Sequence, residues 1–414
     1  MPVRVLFAES KLKKPDVIFL FFLVMTCQPI IPLKILSIIL VSVLRPVLHL
    51  KFGRLFQFYA LITILSFISF FFFLFEPNEK YLIVFFFGII FWLLCLLCFF
   101  QIDYFVRVIP FGSRDVTLKC FFAINVVLSL LQLISLIIQF GGNPFIDPSS
   151  GDHIVGLFQN SSVNMVVNSF YLLYFLYRKN YGWSMLSLLV CLTTTYLSGI
   201  ILFVAAFVVV LFLSSRISFR LKAIFLISTA VALAVSVSLS PGNLQYATNT
   251  INQISSDSKP RKITAFRQTL EASIRDPIHF LFGYGTGNFS SRLAFTVGGE
   301  YTKWFPKELV YRSDIFSKNH FLLWNNDQLS KKYNDGTANQ PFSVFNQLLG
   351  EYGFIGLVLF LSTYIAYFYR RSQASIYGKM LLASFCLYLT LDYWFEYFNT
   401  VIIFETVFLS NFDD

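Results

Sequence analysis

Long apolar runs, most of them separated by short polar connections, define the predicted elements of the chain. A membrane-spanning helix needs about 20 mainly apolar residues, with short examples near 17. Such runs predict about twelve spans, the first two being short helices within Val17–Leu48 that the Pro29–Pro32 break turns into a hairpin. The other predicted spans are Leu55–Phe75, Tyr81–Phe100, Cys120–Phe140, Val163–Tyr177, Trp183–Leu197, Ile200–Leu213, Ala223–Ser240, Phe345–Tyr369, Met380–Leu391 and Phe398–Leu409. This pattern is typical of an all-α polytopic membrane protein.

One long polar segment, residues 241–341, interrupts the apolar pattern between the predicted helices 9 and 10. It divides the membrane domain into residues 1–240 and residues 342–414. A loop of this length inside a compact domain is usually functional or disordered. Its helix signals favour order, so we expect a large, partly helical loop that carries the chemistry.

The composition supports the membrane assignment. The chain is 56% hydrophobic and only 13% charged, and it contains 52 Phe. Soluble domains carry about 25% charged residues. A soluble enzyme, a disordered chain and a disulfide-rich secreted module are therefore excluded.

The positive charges predict the orientation of the spans, because cytoplasmic loops are enriched in Lys and Arg. Outside the long segment, the loops on one side of the predicted spans contain only two cations, Lys34 and Lys80. All the other cations lie on the opposite side. Both termini are therefore expected in the cytoplasm and residues 241–341 on the outer face. Residues 1–16 lack a small-residue cleavage site, so we expect no cleavable signal peptide.

The charges and cysteines give no sign of a metal site or of nucleic-acid binding. All six cysteines lie in or beside apolar spans, where a small buried core residue is the expected role. The four histidines lack the spacing of metal ligands. The long segment has an excess of only four positive charges, too few for a polyanion-binding surface. We expect no metal, no cofactor and no nucleic-acid partner.

A helix is predicted near the start of the long segment. Ser258 and Pro260 provide start signals, and Pro277 ends the pattern. Ile263, Phe266, Leu270 and Ile274 form an apolar stripe at helical spacing, and Arg267, Glu271 and Arg275 recur every four residues on the polar side. Two interpretations stay open: a solvated helix whose Glu pairs with Arg, or an arginine-bearing helix that binds a diphosphate.

Alternating glycines follow this helix at Gly283, Gly285 and Gly287. A dinucleotide-binding fingerprint would need a preceding strand, and here a helix and a proline precede the glycines. The pattern favours a tight turn that returns the chain to the bilayer, although such a turn can also cradle a phosphate. Further on, Glu351 stands near the membrane boundary, where an ionisable group is costly unless it is paired or hydrated.

These motifs resemble the O-antigen ligase and polymerase superfamily. The likeness rests on Phe266, on the run from Pro277 to Phe289, and on Leu348-Leu-Gly-Glu351-x-Gly353-Phe-Ile-Gly356. Residues 156–164 form a further match before the predicted sixth span. The resemblance implies a metal-independent, GT-C-like glycosyltransferase of the bacterial inner membrane. Its implied partners are an undecaprenyl-diphosphate-linked oligosaccharide, the lipid bilayer and a chain-length regulator.

The residue-by-residue comparison also shows departures from this family pattern. The arginine expected before Phe266 falls on Lys262, with Arg261 beside it, and the arginine of the earlier loop falls near His153. Diphosphate or substrate binding is therefore assigned to a set of five cations, namely Arg261, Lys262, Arg267, Arg275 and His153. The histidine of the ligase branch falls on Phe342, which favours a polymerase.

Three residues remain as candidates for the catalytic base. His320 is the one plausible neutral-pH base in the long segment, although a surface histidine without a function is the alternative. Asp314 and Glu351 are the carboxylate candidates. The predicted function is a polymerase of O-antigen or capsular repeat units, and a ligase to lipid A–core or a transporter of lipid-linked sugars are the competing hypotheses. A transporter would be expected to show internal repeats, and the sequence shows none.

Overall fold

The described part of the protein consists of helices and their connections. The structure is a computed structural model that describes residues 14–46, 53–73, 81–146, 152–213, 219–256, 259–300, 305–324, 326–329, 331 and 336–412. No strand occurs within these ranges. The predicted all-α fold of a polytopic membrane protein is confirmed.

Each predicted apolar run overlaps a helix over the part that the structure describes, and residues 47–48 and 74–75 of the predicted runs lie outside the described residues. The helices of the first membrane part are α1 Val17–Cys27, α2 Ile31–Leu44, α3 Arg54–Phe73, α4 Tyr81–Val108, α5 Phe111–Phe140, α6 Ser161–Tyr177, α7 Tyr181–Thr193, α8 Leu197–Leu213 and α9 Phe219–Leu239. Those of the long segment are α10 Pro241–Ser255, α11 Arg261–Ile274, α12 Pro277–Phe282, α13 Arg292–Val297, α14 Asp314–Lys318, α15 His320–Leu323 and α16 Asn326–Leu329. The last part contains α17 Val344–Leu359, a π-helical turn Phe360–Ile365, α18 Ala366–Ser372, α19 Ile376–Tyr388 and α20 Asn399–Phe412.

Among the described helical stretches, four are long and apolar enough to cross a membrane by themselves. They are Arg54–Phe71, Tyr81–Val108, Phe111–Phe140 and Thr337–Ser372. Several other apolar helices are shorter, including α1 and α2. The total of twelve spans therefore stays a prediction.

The predicted hairpin near the start of the chain is present and is fixed at its open end. Asp16 caps α1 by accepting a hydrogen bond from the backbone of Phe19, and it forms an ion pair of 2.7 Å with Arg45 at the end of α2. The Asp16 backbone N–H also donates to Thr117 Oγ1 in the first part of α5. These contacts tie both arms of the hairpin to the same end of α5.

The core between the helices is built largely from stacked and edge-to-face aromatic rings. The rings of Phe19 and Phe105 stack at 3.7 Å, and those of Phe385 and Phe404 stack at 3.8 Å. Large apolar side chains on the outside of the spans are exposed, for example Ile138 at 76%. An apolar exterior of this extent suits contact with lipid rather than water.

A network of amide side chains fixes the connection between α5 and α6. Asn125 donates to Asn164 Oδ1 and accepts from the Leu157 backbone N–H, both at 2.9 Å. Gln132 makes two hydrogen bonds to the backbone of Gly156. Gly156 has a φ of 58°, and a Cβ there would lie 2.2 Å from Asn125 Oδ1. The second matched motif is therefore a packed turn in which glycine is required.

The predicted helix in the long segment is α11, but its buried face differs from the apolar stripe. Pro260 directly precedes the helix, and Ser258 lies outside the described residues. The buried residues of α11 are Ala265, Thr269, Ala272 and Ser273. Leu270 and Ile274 are 52% and 63% exposed. Small residues face inward because α11 packs closely against α17, and the larger apolar residues point away.

Candidate functional site

The predicted glycine turn, Gly283–Phe289, is present and lies against α17. Gly283, Gly285 and Gly287 all have positive φ values, between 73° and 83°. The backbone N–H of Tyr284 donates to the carbonyl oxygen of Gly350 at 2.8 Å, and that of Gly285 donates to the carbonyl oxygen of Glu351 at 3.0 Å. The two motifs that are distant in sequence thus form one unit.

Close backbone contact explains two of the glycines in this unit. A Cβ on Gly283 would lie 2.4 Å from the Glu351 carbonyl carbon, and one on Gly353 would lie 2.4 Å from the Leu281 carbonyl oxygen. Gly353 has a φ of 67° and interrupts the helical geometry of α17. Gly353 permits the close contact through this kink, which the spacing of the glycines along the sequence did not indicate.

We expect Gly283→Ala to lower the thermal stability of the purified protein by several degrees. Its positive φ costs an alanine about 1–3 kcal/mol, and the added methyl group would collide with backbone that cannot move aside. Thermal unfolding in detergent measures the effect. Gly182→Ala is the matched control, since nothing lies within 4 Å of a Cβ at that position. Equal melting temperatures for both variants would contradict the close contact.

Glu351 holds the far side of the glycine turn. Its Oε2 accepts from the backbone N–H of Gly287 at 2.8 Å, and its Oε1 accepts from that of Ser290 at 3.2 Å. The side chain is completely buried. Backbone N–H groups that bind a carboxylate offset part of the cost of burying its charge. In this position Glu351 shapes the turn, with both oxygens engaged by backbone.

His320 lies at the centre of a buried hydrogen-bond network. Its Nδ1 is 2.6 Å from Ser290 Oγ, and its Nε2 is 3.1 Å from both the Ala265 carbonyl oxygen and Thr269 Oγ1. Ser290 Oγ is also 2.7 Å from the hydroxyl of Tyr393. The side chain of His320 is 0% exposed. The interpretation of His320 as an ordinary surface histidine is therefore wrong.

The partners of His320 define its tautomer. Burial lowers the pKa of His320 to about 4, so the ring is neutral near pH 7. The Ala265 carbonyl oxygen can only accept, hence Nε2 carries the proton and Nδ1 accepts from the hydroxyl of Ser290. Ser290 in turn accepts from Tyr393. The chain from Tyr393 through Ser290 to His320 is thus a directed path of hydrogen bonds that ends at an unprotonated nitrogen.

Lys262 lies beside this network and binds backbone rather than a side chain. Its Nζ donates to the carbonyl oxygens of Phe342, Thr390 and Leu391 at 2.6–3.1 Å. Burial lowers the pKa of Lys262 to about 7, an effect that the nearby Asp392 opposes. The three carbonyl groups match the three N–H donors of an ammonium group. Lys262 therefore ties α11 to the connection between α19 and α20.

That connection supplies site residues that the sequence analysis did not assign. The carboxylate of Glu396 accepts from the backbone N–H groups of Arg292 and Leu293 at the start of α13. The guanidinium carbon of Arg292 lies 4.2 Å from the ring centroid of Tyr397. The sequence did contain one sign of these missed site residues. Three carboxylates, Asp392, Glu396 and Glu405, lie close together in an otherwise almost uncharged apolar stretch.

The remaining candidate cations are more peripheral. Arg261 donates to the Leu323 carbonyl oxygen at 3.1 Å. Arg267 forms a 3.4 Å ion pair with Glu271, with side chains 71% and 54% exposed, as the interpretation of α11 as a solvated helix expects. Arg275 and His153 are exposed.

Asp314, the other carboxylate candidate, is also on the surface. Its side chain is 93% exposed and pairs with Lys318 at 3.2 Å. No hydrogen bond or ion pair among the described residues connects it to His320 or Glu351. The described residues also contain no group of three or more His, Cys, Asp or Glu side chains placed to hold a metal ion.

The apolar helices and the buried polar network define a polytopic helical membrane protein with a polar site at one end of its spans. Residues 183–361 match the Wzy_C family, described as O-antigen ligase, which confirms the resemblance to the O-antigen polymerase and ligase superfamily. Members of this family are glycosyltransferase-like enzymes that act on lipid-linked polysaccharide substrates in membranes. No curated protein and no solved structure matches the chain.

The matched range contains most of the site. The glycine turn, His320 and Glu351 lie within residues 183–361, whereas Tyr393 and Glu396 lie beyond its end. The described contacts thus extend the site of the matched region to the connection before α20.

Proposed function

We propose that the protein is a polymerase of O-antigen or capsular repeat units in the bacterial inner membrane. It transfers a growing glycan from undecaprenyl diphosphate to the next lipid-linked repeat unit on the outer face, and both of its termini lie in the cytoplasm. The family match supports the chemistry, and the apolar helices support the location. A chain-length regulator is the protein partner expected with this activity.

The packing of Phe342 is the observation that favours a polymerase over a ligase. Its side chain is 3% exposed and packs against the rings of Phe295, Trp324 and Tyr393 at centroid distances of 5.1–5.2 Å. The ligase-type histidine would fall at this position. A phenyl ring fills this position and cannot accept a proton, so the protein has no ligase-type base there.

We assign the proton-accepting role to His320, acting through Ser290. In the transfer, the acceptor hydroxyl oxygen forms a bond to the anomeric carbon of the donor glycan, and the bond from that carbon to the diphosphate oxygen breaks. The hydroxyl proton passes to Ser290 Oγ while the Ser290 proton moves to Nδ1 of His320. The diphosphate leaves with the bonding electrons and needs cations nearby to stabilise its charge.

In this proposal, the cations on the exposed face of α11 attract the anionic substrate. Arg267 and Arg275 are exposed, and a cationic surface raises the local concentration of an anionic substrate. Arg261 and Lys262 donate to backbone carbonyl oxygens, which suits a positioning role.

Deletion of the gene is expected to leave single repeat units in place of long polymer, and the wild-type gene should restore polymer length. Gel analysis of the surface glycan gives the readout. A Phe342→Ala allele whose product reaches the membrane in normal amount tests the packing, and the exposed Phe354→Ala allele is its control. If long polymer persisted after deletion but was no longer joined to lipid A–core, the ligase alternative would replace the polymerase.

A further inference from the structure

The outward side of α11 and α12 carries a row of large apolar side chains, here called the apolar row. Its five members are between 41% and 63% exposed, namely Ile263, Leu270, Ile274, Ile278 and Leu281. On α11 they follow helical spacing and point away from the small residues that pack against α17. Exposed apolar side chains that lie together mark a surface that contacts another protein or a membrane.

The apolar row continues into the side of α17 that contacts lipid. The ring of Phe280 in α12 stacks on that of Phe354 in α17, with 5.3 Å between the ring centroids. Phe354 is exposed, and so are Ile355 and Val358 in the same part of α17. These residues belong to the helical stretch Thr337–Ser372, which is long and apolar enough to cross a membrane. The apolar row and the lipid-facing side of this span therefore form one surface.

The level of Phe354 in the bilayer follows from the length of the helix that separates it from the next charges. Arg370 and Arg371 end the apolar part of this helical stretch, and an arginine is costly inside hydrocarbon. From Phe354 to Arg370 the helix is about 24 Å long at 1.5 Å per residue, and the hydrocarbon core of a bilayer is about 30 Å thick. Phe354 therefore lies near the boundary between hydrocarbon and head groups on the side of the long segment, and α12 lies at the same level.

The charges beside the apolar row fit this level. Arg267 and Arg275 are exposed on one flank of the row, and Arg267 pairs with the exposed Glu271. An amphipathic helix at a membrane surface buries its apolar side chains about 5–10 Å deep and keeps its basic side chains among the head groups. A soluble partner protein would have to displace lipid from Phe354 in order to cover the row. The bilayer is therefore the partner that this surface fits.

We propose that α11 and α12 lie along the membrane surface, with the apolar row immersed in the leaflet on the side of the long segment. The opposite face of α11 contacts the buried hydrogen-bond network, since the Ala265 carbonyl oxygen and Thr269 Oγ1 each lie 3.1 Å from His320 Nε2. A helix with its side chains is about 10 Å across, so one helix separates His320 from lipid. A lipid-linked substrate then reaches the site with its hydrocarbon tail still in the bilayer, a consequence that rests on the proposed function.

Spin labels on the apolar row test this placement in the full-length protein, reconstituted in vesicles of phosphatidylethanolamine and phosphatidylglycerol. Cys120→Ser and Cys386→Ser first remove the two cysteines that are not buried. Leu270→Cys and Ile274→Cys then each carry a nitroxide label. Molecular oxygen, which concentrates in lipid, should relax both labels strongly, whereas a water-soluble nickel complex should have little effect on either.

Two further labels provide the reference values. Val358→Cys places a label on the lipid-facing side of α17, and Asp314→Cys places one at a side chain of the long segment that is 93% exposed. The ratio of the oxygen effect to the nickel effect at Leu270 and Ile274 should match that at Val358 and exceed that at Asp314. A ratio equal to that at Asp314 would mean that the row faces water, and the proposal would fail.

Photo-crosslinking identifies what covers the row. A benzophenone attached to Ile274→Cys should give an adduct that is heavier than the labelled protein by the mass of one phospholipid. A crosslinked dimer in its place would mean that a second copy of the chain covers the row, and would overturn the assignment to lipid.

Neither measurement depends on turnover, so the proposal and the proposed function can fail separately. Lipid contact at Ile274 together with persistent polymer in the deletion strain would retain the membrane contact and reject the polymerase. A row that faces water together with loss of polymer in that strain would reject the membrane contact alone.

Discussion

His320→Gln is expected to lower polymer formation by about 100-fold or more, the contribution typical of a general base. The neutral ring accepts a hydrogen bond from Ser290 through an unprotonated nitrogen. A glutamine side chain can still form hydrogen bonds but has no basic nitrogen that could accept a proton during the transfer. The measurement is polymer formed per mole of folded protein, in liposomes that contain a defined lipid-linked repeat unit.

Three further variants show whether the imidazole acts by chemistry or by packing. Ser290→Ala interrupts the path but leaves the ring, so it should also lose activity, whereas Tyr393→Phe should retain more because its hydroxyl only donates to Ser290. His279→Ala, at a partly exposed histidine of the same segment, should be close to the wild type. Normal turnover by correctly folded His320→Gln would remove His320 from the reaction.

Glu351→Ala is expected to destabilise the fold strongly, with a loss of about 3–5 kcal/mol in the free energy of unfolding. The backbone N–H groups of Gly287 and Ser290 would lose their acceptors inside the protein. Unpaired buried donors of this kind each cost about 1–3 kcal/mol. Thermal unfolding and the yield of protein from membranes give the readout.

Glu271→Ala is the matched control for Glu351→Ala, since Glu271 is more than half exposed and pairs with Arg267. A surface pair of this type contributes about 0–1 kcal/mol. Glu351→Gln, which keeps one acceptor oxygen, should fall between the control and the alanine variant. If Glu351→Ala were as stable as Glu271→Ala, the assignment of Glu351 to holding the glycine turn would be refuted.

The fold was predictable because lipid imposes a simple rule on sequence. Within the described residues each apolar run is helical over most of its length, and the predicted break at Pro29–Pro32 lies where α1 ends and α2 begins. The buried face of α11 could not be predicted from the pattern of apolar residues. Its stripe of larger apolar residues suggested a face toward the core, but contact with α17 selects small residues such as Ala265 and Ala272.

The site was only partly predictable, because its residues come from distant parts of the chain. The glycine turn, Glu351 and His320 stood out by residue type and position. Ser290 and Tyr393 did not, because a serine in a polar segment and a tyrosine among many aromatic residues carry no pattern of their own. Asp314 had suitable chemistry, but its first-turn position on the short α14 leaves its side chain in solvent.

The backbone contact between the glycine turn and α17 has a consequence for biosynthesis. The turn takes its hydrogen-bond acceptors from Gly350 and Glu351, which leave the ribosome well after the turn itself. Tyr393 and Glu396, which also contact this segment, leave the ribosome later still. The long segment is therefore synthesised before its final partners exist, and it reaches its native shape only when the connection between α19 and α20 is in place. A chain released early from the ribosome would have most of its membrane helices and no assembled site.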